Sequence, residues 1–375
     1  MKVNVSQQQL AHGLSIVSRA VAPRSTLPVL NNILVTTDEG RLKLSATNLE
    51  LGISCWIGAQ IVEEGSITVP ARTFSDLVST LPADQIVLNL DTKTLSLLVK
   101  CGSSTTDIKG IDAQEYPPIP SPDLTEGVEL NIADLKEMIQ QVVFAASADE
   151  ARPVLQGVSF NVSDNLITMA ATDGFRISVR TANLSSPVQI PMSAIIPARA
   201  LSELARIATD GEKIVTMIIP EGRKQVIFHL KDAELVSQLI EGNFPDYKAI
   251  IPTSFATETI ISTEEFQQAC RQLEIIARDG SNIIHLNIVL GEDAPGYVEL
   301  SAQTEEIGRA DNQITGNIKG TGLLIAFNVR FLREALEVIK TPNVTLSTNA
   351  NNTPGMIKPV GEDNFKHVIM PMHLG

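Results

Sequence analysis

The chain has 375 residues, of which 43% are hydrophobic and 19% charged, and its formal net charge is −14 at pH 7. This length exceeds what one ordinary core organises and predicts two or three domains, and the composition excludes a disordered chain. No run of about 18 apolar residues occurs, and the N-terminal MKVNVSQQQL has no apolar signal region, so we expect a cytoplasmic protein without a membrane-spanning helix.

The negative total charge argues against a nucleic-acid partner. The distribution of charge points the other way, because residues 1–37 contain Lys2, Arg19 and Arg24 and no Asp or Glu. The sequence therefore indicates segregated charge, with either a basic face on an acidic protein or a merely polar N-terminal helix.

The first predicted elements are a strand and an amphipathic helix, because the apolar residues from Leu10 onward follow one helix face. The same pattern returns twice, and its leading positions, Leu10, Leu135 and Phe266, are separated by 125 and 131 residues. The sequence therefore predicts one unit repeated three times. The apolar positions of the three helices are Leu10, Leu14 and Val17, then Leu135, Ile139, Val142 and Val143, then Phe266, Ala269, Leu273 and Ile276.

A second helix is predicted in each copy, in the segments ITVPARTFSDLVSTL, AIIPARALSELARIA and IAFNVRFLREALEVI. Pro70 and Pro197 mark two of the helix starts. Arg72, Arg199 and Arg330 occupy corresponding positions at all three starts, although a helix N-terminus disfavours cations. This pattern indicates either a shared function or solvated side chains that cover apolar surface.

Between the helices, alternating apolar and polar residues predict strands joined by short polar turns, and therefore antiparallel meanders. Residues 166–180, LITMAATDGFRISVR, form the clearest hairpin, and Asp173-Gly174 predicts a type I′ turn with positive φ at both central residues. Related stretches at residues 44–48 and 300–304 lack the DGFR turn. A loop that only one copy carries is where we expect a site.

Proline-rich joins at residues 116–122 and 244–253 separate the copies. We therefore predict domains at residues 1–125, 126–256 and 257–375. Each copy is itself doubled, since its strand and helix pattern recurs 64 residues later in the first copy. Six helices per chain follow, and twelve helices from two chains in head-to-tail contact, each about 10 Å wide, would enclose a hole of about 28 Å, wide enough for duplex DNA. An open solenoid is the alternative for the same repeats.

Catalytic and metal-binding motifs are missing from the sequence, which has no GxSxG, Walker loop, HExxH or GxGxxG, and its five histidines show no ligand spacing. Cys55, Cys101 and Cys270 lack CxxC spacing and are predicted to be small buried hydrophobes. We expect no cofactor and no metal. An enzyme that uses Asp173 as acid or base and Arg176 as an anion clamp is the chief rival interpretation, and no motif supports it.

Several segments together resemble one family: RSTLPVLNNILV, VPARTFSDLV, ATDGFRIS, EGNFPDYKAIIP and the C-terminal HVIMPMHL. With the three-copy plan, they make essentially the whole chain similar to the bacterial DNA polymerase III beta subunit, the sliding clamp. The resemblance implies an α+β fold of three tandem clamp domains, each a doubled helix-plus-antiparallel-meander, forming half of a ring with helices inside and sheets outside.

The resemblance also implies a function. It implies a non-catalytic processivity factor that encircles double-stranded DNA, independent of sequence, as a head-to-tail homodimer. The implied partners are the replicative polymerase catalytic subunit, the clamp loader and other clamp-motif proteins. A monomeric peptide-binding scaffold without DNA encirclement is the alternative.

A hydrophobic pocket beside the C-terminus, which binds short motifs of partner proteins, is a further implication of the resemblance. Its methionines would adapt to several ligands, Gly174 would let a peptide approach the backbone, Arg176 would hydrogen-bond the peptide, and Pro371 would limit pairing of the last strand. Without the resemblance, the terminal VIMPM is typical of an ordinary edge strand. The implied pocket residues are Arg152, Leu155, Thr172, Gly174, Phe175, Arg176, Ile177, Pro245, Ile250, Val368, Met370, Pro371 and Met372, with Val154, Asn328 and Phe331 nearby.

Departures from the family pattern concern the preference of this pocket for its ligands. Phe175 stands where relatives often carry His or Tyr, His373 stands in place of a frequent Arg, and Gly375 extends the usual end. These differences leave the pocket itself intact.

DNA contacts are implied at Arg24, on a loop, and at the three aligned helix starts. Such contacts address phosphates, carry no base sequence and weaken with salt, which suits a ring held by topology. The implied DNA-contacting residues are Arg24, Arg72, Arg199 and Arg330.

Overall fold

The computed structural model describes residues 1–22, 25–120, 127–209, 211–291 and 295–373. Within these residues lie six α-helices and 25 β-strands with antiparallel pairings, which confirms the predicted α+β class and the meanders. Contacts group the chain into two compact units: residues 1–133 with 199–239 form the first unit, and residues 134–198 with 240–375 form the second unit. None of the helices in the described ranges is long and apolar enough to cross a membrane.

The helices begin where the repeated pattern predicts them. Ser6 Oγ accepts a hydrogen bond from the Gln9 N–H at the start of the first helix, and Ser262 Oγ accepts one from the Glu265 N–H at the start of the fifth. The three leucine and phenylalanine positions that define the repeat are at most 3% exposed, so the predicted faces are the buried ones. The helices are α1 Gln7–Val17, α2 Ala71–Thr80, α3 Ile132–Val142, α4 Ala198–Ile207, α5 Thr263–Ala277 and α6 Val329–Glu337.

The strands follow the alternating segments of the sequence. In chain order they are β1 Lys2–Ser6, β2 Asn32–Asp38, β3 Arg41–Thr47, β4 Leu51–Ile57, β5 Gln60–Glu63, β6 Ser66–Pro70, β7 Gln85–Asp91, β8 Ser96–Cys101, β9 Ser104–Lys109, β10 Val128–Asn131, β11 Gly157–Ser163, β12 Leu166–Thr172, β13 Arg176–Asn183, β14 Met192–Pro197, β15 Ile214–Ile218, β16 Gln225–His229, β17 Ala233–Gln238, β18 Thr257–Ser262, β19 Ile283–Val289, β20 Tyr297–Thr304, β21 Gly308–Gly320, β22 Leu323–Asn328, β23 Asn343–Thr348, β24 Gly355–Pro359 and β25 Phe365–Ile369.

Two sheets organise the first unit. One has the strand order β5-β1-β7-β8-β9, and the other has the order β10-β15-β16-β17-β4-β3-β2-β6. In the larger sheet β4 pairs with β17, from Leu51 opposite Ser237 to Cys55 opposite Ala233. Main-chain hydrogen bonds therefore join strands of the first and central sequence copies.

One sheet organises the second unit, in the order β14-β11-β12-β13-β25-β24-β23-β18-β21-β20-β19-β22. Here β13 of the central copy pairs with β25 of the last copy, from Arg176 opposite Ile369 to Arg180 opposite Phe365. Helices α5 and α6 bury their apolar faces in a core that contains the fully buried Phe365. The C-terminal strand is thereby fixed in the middle of a sheet.

The predicted type I′ turn at Asp173-Gly174 is wrong. Gly174 has a φ of +96°, but Asp173 has no positive φ, and the last residue pair between β12 and β13 encloses four residues. The physical reason is that the Asp173 carboxylate accepts the backbone N–H groups of the loop, which fixes a longer turn. A two-residue turn with positive φ at both positions does occur between β2 and β3, at Glu39 (+46°) and Gly40 (+73°).

Candidate functional sites

The loop at residues 172–176, called the Phe175 loop below, carries the DGFR sequence found only in the central copy, and its own side chains hold it in place. Thr172 Oγ1 accepts the Gly174 N–H (3.0 Å) and donates to the Arg176 carbonyl (2.7 Å). Asp173 Oδ1 accepts the N–H groups of Phe175 (2.9 Å) and Arg176 (3.1 Å). These bonds leave Phe175 at the tip with 58% of its surface exposed, which is unusual for an aromatic side chain in an ordered loop.

The C-terminal strand lies directly beside this loop. β25 is flanked by β13 and β24, so the interpretation of VIMPM as an edge strand is wrong. Ile177 pairs with Val368, and both side chains are buried. The Met370 N–H then donates to the Phe175 carbonyl (2.8 Å), and β25 ends before Pro371, as the missing proline N–H requires. The result is an apolar surface with a buried floor and with Phe175 and Met370 exposed at its edge.

Arg152 and Leu155 lie on the other side of the loop. Arg152 Nη1 donates to the Asp173 carbonyl (3.2 Å), and Arg152 Nε pairs with Asp149. The Leu155 N–H donates to the Arg152 carbonyl (3.0 Å) within the single 3₁₀ turn Pro153–Gln156, where the leucine is half-buried. The structure therefore places Arg152 against the Phe175 loop, and Leu155 follows in the same turn.

Pro245 and Ile250 are connected to the pocket floor through Tyr247, whereas Met372 contacts β22. Tyr247, between Pro245 and Ile250, belongs to the buried apolar cluster that also contains the pocket floor. Ile250 itself is exposed, and Pro245 is exposed as well. The Met372 N–H donates to the Ala326 carbonyl (2.8 Å), which ties the chain beyond β25 to β22.

Arg176 has a different role from the one predicted. Its side chain is only 5% exposed, and its guanidinium donates to Asp173 (3.0 Å), to Glu334 (2.5 Å) and to the Phe144 carbonyl (2.7 Å). The Phe331 ring lies 4.4 Å from the guanidinium carbon. The expectation that Arg176 hydrogen-bonds a bound peptide is therefore corrected: the guanidinium faces inward and fastens the loop to α6 and to the turn after α3.

His367 lies beneath the same loop, fully buried on β25. Its Nδ1 is 2.6 Å from Ser178 Oγ, and its ring packs on Phe144 at a centroid distance of 5.3 Å. Nε2 has no hydrogen-bond partner in the part of the chain that the structure describes. Burial, and then the charge of Arg176, lower the pKa of His367 well below the ordinary value of 6.5, so the imidazole is neutral in the folded protein.

The buried neutral His367 predicts a pH dependence of stability. Below about pH 6.5 the His367 imidazole binds a proton in the unfolded chain but stays neutral in the folded protein. The free energy of unfolding therefore falls by up to about 1.4 kcal/mol for each unit by which the pH is lowered. At pH 5.0 the loss from this group is expected to reach about 2 kcal/mol, and above pH 7 it vanishes. His367→Asn keeps a partner for Ser178 and removes the titration. Denaturant unfolding of both proteins at pH 7.5 and 5.0, with the exposed His373→Asn as control, measures the difference, and parallel pH curves for wild type and His367→Asn would contradict it.

Two of the aligned arginines are paired with an acid one turn later. Arg72 is 95% exposed and lies 3.6 Å from Asp76, and Arg330 lies 2.7 Å from Glu334. Glu334 thus receives bonds from both Arg330 and Arg176, which lower its pKa although burial acts in the opposite direction. These pairs compensate for cations at a helix start, and an anion that approaches either arginine competes with the carboxylate.

The third aligned arginine, Arg199, is exposed and donates to the Arg19 carbonyl (3.4 Å). The acid one turn beyond it, Glu203, pairs instead with Arg19 (3.1 Å) and with Arg206 (2.9 Å). Arg24 lies outside the described residues. The structure therefore places three of the four predicted DNA contacts at exposed helix starts.

Glu334 and Phe144 complete the Arg176 network, and sequence reasoning missed both. Glu334 had a signal, because an acid follows each aligned arginine by four positions, at Asp76, Glu203 and Glu334. The Phe144 carbonyl accepts a hydrogen bond from Arg176, and the Phe144 ring packs on His367. Every residue has a backbone carbonyl, so the sequence pattern could not predict this contact.

The residues of the rival enzyme interpretation have structural roles in the Phe175 loop. The rival enzyme interpretation assigns catalysis to Asp173 and Arg176. The Asp173 carboxylate accepts hydrogen bonds from the Arg176 guanidinium and from backbone N–H groups of the loop. Among the described residues no group of three His, Cys, Asp or Glu side chains is arranged to hold a metal ion. The cysteines are buried, as predicted, and burial raises the pKa of Cys55 to about 12.

Comparison with known proteins agrees with this architecture. Models of the N-terminal, central and C-terminal domains of the DNA polymerase III beta subunit match residues 1–120, 129–246 and 248–373. The fold and these matches define a class, the three-domain clamp subunit of a DNA polymerase. The beta sliding clamp of Synechococcus elongatus is 31% identical over 100% of both chains, and that of Bacillus subtilis is 29% identical over 99% of both.

Solved structures agree as well. The crystal structure of the Bacillus subtilis DNA polymerase sliding clamp has a TM-score of 0.93 and 28% identity over 100% of both chains. A Pseudomonas aeruginosa sliding clamp bound to griselimycin has a TM-score of 0.92 and 26% identity, also over 100% of both chains. This chain belongs to the DNA polymerase III beta subunit family, the beta sliding clamps. The family is non-enzymatic, and its members are processivity factors.

Proposed function

We propose that two copies of this chain associate head to tail into a ring that encircles double-stranded DNA and tethers the replicative polymerase. The observation that carries the proposal is the family match through all three domains over the whole chain. The six helices support it, because twelve helices, each about 10 Å wide, enclose a hole of about 28 Å. Helices then line the hole, sheets form the outside, and the domains are residues 1–125, 126–256 and 257–375.

In this proposal the DNA contacts are weak and independent of sequence. Arg24, Arg72, Arg199 and Arg330 address phosphates, and the carboxylates beside Arg72 and Arg330 compete with those phosphates. Weak contacts suit a ring that must slide, since enclosure and not affinity retains the DNA. The excess of acids over bases, 43 against 29, keeps the remaining surface from adhering to neighbouring DNA in the cytoplasm.

Partner proteins dock, in the same proposal, on the surface between the Phe175 loop and the C-terminus. A short linear motif places apolar side chains over Ile177 and Val368, against Phe175 and Met370, and the flexible methionine adapts to different ligands. The partners are the polymerase catalytic subunit, the clamp loader and other proteins that carry such a motif. One surface serves all of them in turn, so they compete for it.

A loading assay tests the topological part of this proposal. With a clamp loader and ATP, the labelled protein is loaded on nicked circular DNA, and half of the sample is then cut to linear form. We expect retention on circles and loss from linear DNA, because an enclosing ring leaves only at an end. Blocking both ends with bound protein should restore retention, and equal loss from circles and linear DNA contradicts enclosure.

The rival monomeric scaffold differs in mass and in DNA behaviour but not in peptide binding. Sedimentation velocity at micromolar concentration separates the two, because a ring of two chains sediments as a dimer of the 40.4 kDa chain. A stable monomer that still binds motif peptides would favour the scaffold. The peptide surface and the ring are thus tested independently.

A further inference from the structure

The first unit contains a loop built like the Phe175 loop, 125 positions earlier in the chain. Thr47 Oγ1 accepts the Leu49 N–H and donates to the Leu51 carbonyl, both at 3.0 Å. Asn48 Oδ1 accepts the N–H groups of Glu50 (3.1 Å) and Leu51 (2.7 Å). Each bond has its counterpart at Thr172 to Arg176, so the two loops share one backbone geometry.

Leu49 is the residue that this geometry does not explain. It occupies the position of Gly174 and has a φ of +78°, a left-handed conformation that a leucine rarely adopts. Its side chain is also 51% exposed. A glycine at this position would adopt the positive φ without strain and would expose no apolar side chain to water. Leu49 is therefore unfavourable for folding both in its backbone conformation and in its exposed side chain. Strain of this kind in a well-ordered loop points to a function for the side chain.

A groove opens beside Leu49, within the first unit. It contains a cavity of about 210 Å³ lined by Leu49, Gly52, Ile119 and Val236. Ile119 lies 3.4 Å from the place where a Cβ on Gly52 would be, so the proline-rich segment packs directly on β4 at this glycine. The neighbouring prolines at positions 117, 118 and 120 form a stiff wall without N–H donors.

The groove continues into a second opening of about 320 Å³ that shares Pro120, Gln225 and Gln238 with the first. The exposed Arg223 and Lys224 border this end, whereas Glu50 borders the end next to Leu49. An apolar floor at one end and two cations at the other select a ligand with the matching polarity.

We infer that this groove, from Leu49 and Ile119 to Arg223 and Lys224, docks a short extended peptide of a partner protein whose apolar residues precede acidic ones. The apolar residues pack on Leu49, Ile119 and Val236, and the acidic residues pair with the two cations. Gln225 and Gln238, between the two ends, offer amide groups to the peptide backbone. The groove is a second docking surface, distinct from the one beside the Phe175 loop, and requires neither DNA nor a ring.

The test uses the full chain and fluorescein-labelled hexapeptides with Leu or Phe at the first two positions and Asp or Glu at the last three. Anisotropy titrations compare wild type with Arg223→Glu/Lys224→Glu and with Leu49→Gly. We expect each variant to weaken binding at least about tenfold, because each removes one end of the recognition. Leu49→Gly is also expected not to lower the melting temperature, since it relieves a strained φ.

Controls locate the binding. Lys93→Glu/Lys100→Glu makes the same charge change at exposed positions away from the groove and should leave affinity unchanged. Phe175→Ser alters the other docking surface and should also leave it unchanged, which keeps this test separate from the proposed polymerase tether. Peptides with Lys in place of the acids should not bind. The inference is overturned if none of the acidic peptides binds, if binding is lost in Phe175→Ser instead, or if the groove variants bind like wild type.

Discussion

Arg176→Ala is expected to destabilise the second unit by about 3 kcal/mol, because it leaves the partly buried Asp173 carboxylate without a cation and leaves Glu334 with Arg330 alone. The guanidinium contacts the Phe175 loop, α6 and the Phe144 carbonyl together. Its loss therefore also frees the loop, and peptide binding beside Phe175 should fall with it. Native-state hydrogen exchange at β13 and α6 measures the opening free energy without assuming that the whole chain unfolds in one step.

Arg309→Ala is the matched control for this effect. Arg309 also makes a close pair with a carboxylate, Asp311, but its side chain is 62% exposed, so the expected cost is at most about 1 kcal/mol. Arg176→Ala/Asp173→Asn also removes the carboxylate that is left without a cation and should recover part of the stability, because an Asn Oδ1 can still accept the N–H groups of the loop. Equal costs for Arg176→Ala and Arg309→Ala would show that burial of the Arg176 network contributes nothing.

Deletion of residues 370–375 is expected to weaken binding of a motif peptide from the polymerase catalytic subunit by about 100-fold, or about 2.7 kcal/mol. The deletion removes Met370 and Pro371 from the edge of the docking surface and leaves all of β25 in the sheet. A deletion that began at His367 would instead remove the buried Val368 and damage the fold. Fluorescence anisotropy gives the affinity, and sedimentation velocity shows whether the dimer persists.

Ile190→Ser is the matched control for the deletion. Ile190 is another apolar residue of the second unit and is 77% exposed, so its replacement removes apolar surface outside the docking region. The affinity for the peptide should stay at the wild-type value. An unchanged affinity after removal of residues 370–375 would rule out the proposed role of the C-terminus.

The repeat and most of the architecture were predictable from sequence because they rest on local periodicity. Leu10, Leu135 and Phe266 announce helix faces through spacing alone, and all three are buried as predicted. The prediction for the 166–180 hairpin was right in its strands and wrong in its turn. The Asp173 carboxylate decided the turn by accepting two backbone N–H groups, which outweighed the preference of an Asp-Gly pair for a type I′ turn.

The interior of the site was not predictable, because its contacts join distant parts of the chain. The sequence around Arg176 is typical of an exposed turn and does not predict a buried arginine. Its partner Glu334 lies 158 residues away in the sequence and comes close to it only in the folded sheet. Likewise, the terminal VIMPM looks like an edge strand until β24 and β13 are seen on either side of it. Hydrophobic pattern predicts which residues are buried, but it does not say which strand lies next to which.

The pairing of β4 with β17 has a consequence for how the protein is made. β4 ends at residue 57 and β17 begins at residue 233, so nearly half of the chain must be synthesised after β4 before this partner strand emerges from the ribosome. Until then, the edge of β4 opposite β3 exposes backbone N–H and carbonyl groups that can pair with another strand, including one from a nascent neighbour. A fragment that ends with the first repeat would lack β17 and would leave this edge of β4 unpaired. The repeated segment of the sequence and the compact unit of the fold are therefore different parts of the chain.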